Sequence, residues 1–280
     1  MKYPFYPGCS MHSSAREYLD SFEAISRYFG VELEEVKGWT CCAPTAVHGI
    51  SQLLSISIPA ANLALIEADG KDCVVVPCAA CYSRFKCAAF EIAESKDTAE
   101  KVNDCIGHEF KNSVKIIHPL EIYTDIKHEL VVTELSKVNV VAYYGCLLTR
   151  PPDVKQFDDC ENPQSMDNIL RKLGLNVLDW SYKTDCCGAT FNLTNKDVFL
   201  KLTGKILEEA KNAGADIIAV ACPLCQVNLD SYQFEKKSPN IPIFYFSQLI
   251  GLAYGVNAQE LGLPKQFVNG EEVIRECLKR

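Results

Sequence analysis

Two ten-residue stretches decide the fold: DCVVVPCAAC, residues 72–81, and DIIAVACPLC, residues 216–225. Each has an aspartate, a run of β-branched and small apolar residues, and then two cysteines three positions apart. Such a run is typical of a buried strand. An amphipathic helical stretch precedes each run, over residues 51–68 and 194–213, and a glycine follows each helix. The sequence therefore predicts a helix–strand–cysteine unit that occurs twice.

The duplication extends to the other cysteines. The first half carries the pattern C-x31-CC-x35-C-x2-C, and the second carries C-x39-CC-x34-C-x2-C. The offset between the halves is 137 residues at the first cysteine, 145 at the adjacent pair and 144 at the last two, so a single eight-residue insertion explains most of the difference. The first group is Cys9, Cys41, Cys42, Cys78 and Cys81, and the second is Cys146, Cys186, Cys187, Cys222 and Cys225.

Strands that alternate with helices predict an α/β protein. We expect two similar lobes, each with a small, mainly parallel sheet and flanking helices, related by a pseudo-twofold axis through the internal duplication. The polar stretch 134–139 precedes a new strand, so the predicted lobes are residues 1–136 and 137–280. Each lobe should present its cysteines from loops at strand ends, where such folds place their sites.

Composition limits the possible functions. The formal net charge of −8 argues against nucleic acid as a partner, because phosphate neutralisation needs a basic face. No apolar run is long enough for a transmembrane segment, and the N-terminus lacks the apolar core of a secretory signal, which favours a cytoplasmic location. The cytosol keeps thiols reduced, so the 15 cysteines favour metal binding over a disulfide framework.

The number of cysteines in each lobe bears on the metal. A structural zinc site takes four ligands, so a fifth cysteine would be surplus. An iron–sulfur cluster has several irons and can use more thiolates, and adjacent cysteines such as Cys41 and Cys42 can reach different irons. The pattern therefore favours iron–sulfur clusters, with zinc in one lobe or free thiols as the alternatives.

The repeated pattern resembles the CCG-domain iron–sulfur family, and most closely the B subunit of heterodisulfide reductase. The resemblance runs from Tyr6 to about Gly255. The second motif is Cys186-Cys187-Gly188, whereas the first reads Cys41-Cys42-Ala43-Pro44 and lacks the glycine, which leaves the geometry of that loop open.

The resemblance implies two non-cubane [4Fe-4S] clusters, each held by the five cysteines of one group, which face each other across the lobe interface with a disulfide between them. It implies an oxidoreductase that reduces the mixed disulfide of coenzyme M and coenzyme B, a reaction of methanogenesis, with no catalytic residue beyond the clusters. The chain lacks a ferredoxin-type cysteine run and a dinucleotide-binding loop. The resemblance therefore implies an electron-transfer complex in which the partners are a ferredoxin-like C subunit, which carries electrons, together with a flavin-bearing A subunit.

Basic side chains close to the cysteines are candidates for binding an anionic substrate. For any one of them, solvated surface charge is the alternative. These candidates are His12, Arg16, His48, Arg84, Lys86 and Arg150.

Two other functions are compatible with the sequence. Similar tandem subunits occur in lactate and succinate oxidation systems and in bacterial heterodisulfide-reductase-like complexes, where electrons pass to a quinone or another thiol. The other alternative is a zinc-stabilised assembly module that is not an enzyme. Iron, sulfide and zinc analysis separates the last reading from the others.

Overall fold

The structure is a computed structural model that describes residues 1–44, 47–124, 131–236 and 240–279. The elements of the first lobe are β1 (Lys2–Phe5), α1 (Gly8–Met11), α2 (Arg16–Tyr28), β2 (Glu32–Glu35), α3 (Gln52–Ala68), β3 (Cys73–Val75), α4 (Ala79–Glu94), α5 (Lys96–Ile106), β4 (Lys115–Ile117) and α6 (Pro119–Ile122). Those of the second lobe are β5 (Asn139–Tyr143), α7 (Cys146–Thr149), α8 (Pro152–Lys155), α9 (Ser165–Lys172), β6 (Asn176–Val177), α10 (Phe191–Thr194), α11 (Lys196–Asn212), β7 (Ile217–Val220), α12 (Pro223–Lys236), β8 (Ile243–Tyr245), α13 (Phe246–Ala253) and α14 (Gly270–Lys279).

The eight strands form two four-stranded sheets with equivalent topology. The first has the order β2-β1-β3-β4 and the second β6-β5-β7-β8, and every strand pair in both is parallel. Helices connect the strands, as parallel pairing requires. The predicted α/β fold with two similar lobes is confirmed, and the two sheets fall on either side of the predicted boundary. That residues 1–136 and 137–280 are separate domains remains a prediction.

The helix that precedes each cysteine-bearing strand begins at a polar cap. Ser51 caps α3 by accepting from the backbone N–H of Leu54 at 3.3 Å. Asn195 caps α11 by accepting from the backbone N–H of Val198 at 3.3 Å. The predicted helix over residues 51–68 is confirmed, whereas the one predicted from residue 194 begins at Lys196 because the preceding residues form the separate helix α10.

Side chains of both lobes meet in a buried seam between α2 and α13. The rings of Tyr18 and Tyr245 stack with centroids 4.2 Å apart and planes 7° apart. The hydroxyls of Ser21 and Ser247 are 2.7 Å apart. One continuous hydrophobic core includes residues of both sheets. The lobes are therefore packed together through buried contacts.

A second contact between the lobes involves α8, which lies in the longer connection of the second lobe. The side chain of Lys155 is fully buried against α4. Its Nζ donates to the carbonyl of Ser83 at 3.1 Å and lies 3.1 Å from the Sγ of Cys87. No helix in the part of the chain that the structure describes is long and apolar enough to cross a bilayer.

Candidate metal centres

The cysteines of each lobe lie at one edge of its sheet, on segments that follow the strands. The first cysteine of each group is in a one-turn helix, α1 or α7, directly after the first strand of its lobe. Cys78 is the N-cap of α4, and Cys222 directly precedes α12. Because carboxyl ends of parallel strands meet at one sheet edge, this topology brings distant cysteines together. The predicted strand-to-helix position of both C-x2-C motifs is confirmed.

All five thiols of the first group interact with one another. The Sγ atoms of Cys42 and Cys81 are 2.9 Å apart. The Cys9 thiol is hydrogen-bonded to Cys41, and Cys78 is hydrogen-bonded to Cys81. Cys9 and Cys41 are exposed, whereas the other three are buried. The group therefore has a buried side and a side open to solvent.

The second group has the same arrangement. The Sγ atoms of Cys187 and Cys225 are 3.6 Å apart. Cys146 is hydrogen-bonded to Cys186, and Cys222 to Cys225. Cys146 and Cys186 are partly exposed, and the remaining three are buried. The two lobes thus match in pairing and in which thiols face solvent.

The thiols of each group perturb one another's ionisation. A hydrogen bond from Cys81 lowers the pKa of the Cys78 thiol to about 7. The hydrogen bond with Cys42 conversely raises the pKa of Cys81 well above its usual value. Burial raises the pKa of Cys9, and the neighbouring thiols raise it further. The raised pKa values of Cys9 and Cys81 mean that these two thiols resist ionisation while the pKa of Cys78 is lowered, and a bound cation would favour their thiolate forms.

The second group behaves likewise. A hydrogen bond from Cys146 lowers the pKa of Cys186 to about 6, while the same bond raises the pKa of Cys146. Cys187 and Cys225 form a corresponding pair, with the pKa of Cys187 lowered and that of Cys225 raised. Thiolates are the ligands that soft metals and iron–sulfur clusters prefer. Two sets of closely spaced thiols fit such clusters by the chemistry of their donors.

No three His, Cys, Asp or Glu side chains among the described residues are arranged to hold a single metal ion. The structure does bring the ten predicted cysteines together as two groups of thiols. Their role as metal ligands remains a prediction.

A glycine next to the first cysteine of each group lets a buried sulfur approach the backbone. A Cβ atom on Gly145 would lie 2.8 Å from the Sγ of Cys225, and one on Gly8 would lie 3.0 Å from the Sγ of Cys81. Gly145 has φ 69° and ψ 177°, a region that only glycine occupies readily. The repeated Gly-Cys step therefore has a structural reason in both lobes.

A tyrosine fixes the adjacent cysteine pair of each lobe. The hydroxyl of Tyr6 donates to the carbonyl of Thr40 at 2.7 Å, and Thr40 directly precedes Cys41. The hydroxyl of Tyr143 donates to the carbonyl of Asp185 at 2.6 Å, and Asp185 directly precedes Cys186. From the sequence we expect Tyr6 and Tyr144 to pack beside the first cysteines. In the second lobe the hydrogen bond to the cysteine loop comes instead from Tyr143, whereas Tyr144 donates to Asp167.

Two buried asparagines also form hydrogen bonds to the backbone of these loops, and they were not identified from the sequence. Asn62 in α3 accepts from the backbone N–H of Thr40 at 2.8 Å. Asn228 in α12 donates to the carbonyls of Cys187 and Ala189, both at 3.0 Å. Each asparagine holds the backbone beside a cysteine pair from a neighbouring helix. The two asparagines do not lie at equivalent positions of the repeat, so nothing in the sequence indicated their role.

In the first lobe, Ala43 stands where the CCG pattern has a glycine, and the backbone at this position keeps the same conformation. Gly188 has φ 88°, and Ala43 at the equivalent position has φ 54°. Both lie in the left-handed region, which alanine occupies at an energetic cost of roughly 1–2 kcal/mol. The turn after the cysteine pair is therefore left-handed in both lobes.

The predicted basic residues are distributed over different surroundings. His12 is 3.2 Å from the Oε1 of Glu35, and the Nε of Arg16 donates to Asp20 at 3.0 Å. Arg150 donates to Glu161 at 2.7 Å and to the hydroxyl of Thr184 at 3.1 Å. These three side chains thus have polar partners in the protein.

The other three basic candidates belong to the first lobe. Burial lowers the pKa of His48, and the charge of Arg84 lowers it further. The Nε of Arg84 is buried without a hydrogen-bond partner among the described residues. Lys86 lies over the ring of Tyr82, with its Nζ 5.6 Å from the centroid. The role of these three side chains in substrate binding remains a prediction.

An open cleft lies beside the second group. Its volume is about 520 Å³, and its lining includes Cys146, Arg150, Pro151, Cys160 and Glu161. Arg150 thus lines a cleft together with one of the ten cysteines. The cleft gives a small molecule access to the partly exposed thiol of Cys146.

Comparison with solved structures supports the fold. A crystal structure of a hypothetical protein from Helicobacter pylori matches with a TM-score of 0.79 at 14% sequence identity, over 95% of this chain and 52% of that chain. This chain thus spans about half the length of that structural relative. At this identity the match shows the fold alone.

Comparison with characterised sequences gives relatives of similar length. The 8-methylmenaquinol:fumarate reductase membrane anchor subunit of Wolinella succinogenes is 29% identical over 97% of this chain and 99% of its own. The B subunit of the ferredoxin:CoB-CoM heterodisulfide reductase of Methanosarcina mazei is 28% identical over 86% and 85%. A protein of Archaeoglobus profundus that is named as similar to the heterodisulfide reductase B subunit is 25% identical over 93% of each chain. The expected resemblance to this type of subunit is confirmed.

The model of the CCG cysteine-rich domain matches twice, at residues 3–86 and 140–230. The two matches contain both cysteine groups and agree with the duplication of the sheets. On its repeated cysteines, its two equivalent lobes and this match, the chain belongs to the CCG family of cysteine-rich domain proteins.

Proposed function

We propose that the chain is the iron–sulfur subunit of an electron-transfer complex, and that it reduces a small disulfide at two metal–sulfur centres. The observation that carries the proposal is the pair of equivalent five-thiol groups, each with a buried and a solvent-facing side. Its relatives include the B subunits of heterodisulfide reductases. The proposed cofactors are two [4Fe-4S] clusters of the non-cubane type.

The proposed ligands are the ten cysteines of the two groups. Clusters bound there would supply one-electron transfer and a metal that holds sulfur as thiolate. The protein's own part is to hold five thiols within reach of one another in each lobe. Tyr6, Asn62, Tyr143 and Asn228 fix the backbone of the cysteine pairs for this purpose.

The reaction proposed is R–S–S–R′ + 2 e⁻ + 2 H⁺ → R–SH + R′–SH, with electrons from a partner protein of the complex. Two one-electron centres match a two-electron reduction that releases two thiols. The rings of Tyr18 and Tyr245 stack across the seam, and the Tyr18 hydroxyl donates at 3.5 Å to the carbonyl of Pro77, directly before Cys78. Burial raises the pKa of both phenols, and Cys78 and Cys222 are among the smaller contributions. Both groups thus approach one seam, which supports their acting as a pair.

The position of the exposed thiols bears on how a substrate arrives. The rings of Tyr18 and Tyr245 stack in the seam between the lobes. The thiols with solvent exposure are those of Cys9, Cys41, Cys146 and Cys186, so we expect a disulfide to reach the centres from their side. The cleft beside Cys146 provides one route, and Arg150, which there pairs with Glu161, is our candidate for meeting an anionic group. His12, Arg16, His48, Arg84 and Lys86 remain further candidates for substrate binding.

The chain would work within a larger assembly. We place it in the cytoplasm, where its electron donors would be a ferredoxin-like C subunit, which carries single electrons, together with a flavin-bearing A subunit. The mixed disulfide of coenzyme M and coenzyme B is the specific substrate that the heterodisulfide reductase relatives suggest. A related small disulfide is equally consistent with the residues.

Turnover by the purified complex tests the proposal. Reduced complex is mixed with the coenzyme M–coenzyme B disulfide or with other small disulfides, and released thiols are counted against electrons supplied. The proposal expects two thiols for each pair of electrons. Clusters that are reduced normally, without thiol release from any disulfide, would refute disulfide reduction while leaving the clusters intact.

A second function has a specific observation in its favour. The Wolinella relative matches over 97% of this chain, and its name assigns it to a quinol:fumarate reductase. The alternative is a relay of electrons between a quinone and a dehydrogenase, as in lactate or succinate systems. Re-oxidation of the reduced chain by a soluble quinone analogue, but not by disulfides, would favour it. A zinc-stabilised assembly module would instead contain zinc and no iron.

A further inference from the structure

A lysine of the second lobe is buried against the first lobe, away from the cysteine groups. Lys155 lies in α8, and its side chain is fully buried. Lysine is almost never fully buried unless its charge is paired. Its Nζ donates to the carbonyl of Ser83 at 3.1 Å and to the Sγ of Cys87 at 3.1 Å. The partners of the buried ammonium are therefore a carbonyl and a sulfur, both on α4.

The sulfur is the partner that can balance the charge. A carbonyl accepts a hydrogen bond but carries no net charge, and a buried ammonium needs an anion beside it. Burial lowers the pKa of Lys155, and Cys87 opposes that shift. Arg84 lies one helical turn before Cys87 in α4, and its positive charge acts on the same site. These surroundings favour the thiolate form of Cys87.

Cys87 is a thiol that the two cysteine groups do not use. It follows Cys81 by six residues in α4, which places it about 9 Å further along the helix axis. Its side chain is partly exposed, whereas the lysine beside it is fully buried. The thiolate is the form of cysteine that attacks disulfides. A small disulfide in solvent can thus reach a sulfur that an ammonium contacts from behind.

We propose that Cys87 is a site of thiolation by small disulfides, that Lys155 activates it, and that its modification releases α8 from α4. The step is Cys87–S⁻ + R–S–S–R′ → Cys87–S–S–R + R′–S⁻, after which the released thiolate takes a proton from water. The mixed disulfide is uncharged at sulfur, so the ammonium loses its counter-charge and the contact between the lobes is weakened. This modification is separate from the proposed function and requires no metal centre.

Cys160 provides a matched control for the activation. It is partly exposed, as Cys87 is. Its sulfur lies 3.9 Å from the Oε1 of Glu161, so a carboxylate stands where Cys87 has an ammonium. Arg150 pairs with that carboxylate at 2.7 Å rather than with the sulfur. Because an adjacent cation favours a thiolate and an adjacent anion disfavours it, the two thiols should differ in reactivity.

The rates of thiolation test the activation. The full-length chain is treated at about pH 7 with bis(2-hydroxyethyl) disulfide, which is uncharged and so is not concentrated by nearby basic groups. Peptide mass spectrometry gives the initial rate of mixed-disulfide formation at each cysteine. Cys87 should react about tenfold faster than Cys160, because an ordinary thiol is only a few per cent ionised at this pH. An equal or lower rate at Cys87 would overturn the proposal.

Lys155→Met removes the ammonium and keeps an unbranched side chain. The rate at Cys87 should fall about tenfold, while the rate at Cys160 should stay at its wild-type value. A rate at Cys87 that is unchanged or raised would show that access to the sulfur, and not the ammonium, controls the reaction, and would refute the activation. Should this variant fail to fold, the comparison of the two thiols in wild type still decides.

Hydrogen exchange tests the release of α8. The backbone amides of Val154, Lys155 and Gln156 are hydrogen-bonded in its single turn. They should exchange faster once Cys87 is fully thiolated, and the same treatment of Cys87→Ser should leave their exchange unchanged. Equal exchange before and after thiolation of wild type would contradict the release. A chain without iron, or one that reduces no disulfide, would refute the proposed function and leave these results to decide the role of Cys87.

Discussion

At the scale of single residues, Gly145 is where the backbone and a candidate ligand come closest. A methyl group there would lie 2.8 Å from the Sγ of Cys225, at a φ of 69°. Gly145→Ala should therefore displace that sulfur and empty the second centre. Iron per chain is expected to fall from about eight to about four, since each [4Fe-4S] cluster holds four. Metal analysis of anaerobically purified protein measures this.

Gly174→Ala is the matched control for that substitution. Gly174 also has a positive φ, of 86°, but a methyl group placed there would have no atom within 4 Å beyond its chain neighbours. It should incur a backbone cost of roughly 1–2 kcal/mol and keep its iron. Equal iron loss in both variants would mean that backbone strain, and not the approach to Cys225, is responsible.

The buried pair Lys183 and Asp167 is a second feature at this scale. Their Nζ and Oδ1 atoms are 2.8 Å apart, and the hydroxyl of Tyr144 donates to the other carboxylate oxygen at 2.7 Å. Lys183→Met leaves the buried carboxylate with only the partly exposed Arg171, 3.9 Å from its Oδ1, which should lower the free energy of unfolding by about 3 kcal/mol. Urea unfolding of the chain measures the change.

The double variant Lys183→Met with Asp167→Asn removes both charges together. Its loss of stability should be smaller than the sum of the two single losses, because no buried charge remains unpaired. Strict additivity in this cycle would show that the ion pair contributes no coupling.

At the scale of elements, α12 is attached to the C-terminal segment by one carboxylate. Asp230 accepts from the backbone N–H of Phe267 at 3.0 Å and of Val268 at 3.4 Å. Burial raises the pKa of the Asp230 carboxyl above the ordinary 3.8. The folded chain therefore binds a proton at this carboxyl more tightly than the unfolded chain does. The contribution of Asp230 to stability is thus complete below the ordinary pKa and falls as pH rises through the raised value.

Asp230→Asn does not titrate and should escape that loss. Between about pH 4 and about pH 7, its stability relative to wild type should therefore improve as pH rises. Asp230→Ala should follow the same trend with a larger constant deficit, because it also lacks an acceptor for the two N–H groups. A difference between wild type and the Asn variant that stays constant over this range would contradict the expected pKa shift.

Local patterns predicted the elements that carry the cysteines, and they did so for physical reasons. The runs at 73–76 and 217–220 form buried parallel strands because β-branched and small apolar side chains suit a sheet covered on both faces. The role of α8 was not predictable, because Lys155 is buried against Ser83 and Cys87, which are distant in sequence.

At the scale of the whole molecule, the repeat predicted two lobes but not how they pack. Tyr18 and Ser21 of one lobe meet Tyr245 and Ser247 of the other through side chains that the duplication does not repeat. One hydrophobic core joins both sheets. Calorimetry of the chain should therefore show one cooperative unfolding transition. Two separate transitions would show that residues 1–136 and 137–280 unfold as independent domains.

The two groups of thiols were predictable at this scale because the spacing of the cysteines repeats in the sequence. The tyrosine and asparagine supports were not, since their partners are backbone groups that only the fold brings near. Whether the ten cysteines hold clusters is the central question for the whole molecule.

Iron, acid-labile sulfide and zinc analysis of the anaerobically purified chain tests this claim most directly. Two four-iron clusters predict about eight irons and about eight sulfides per chain, with zinc at background. A colourless protein that contains zinc and no sulfide would contradict the account.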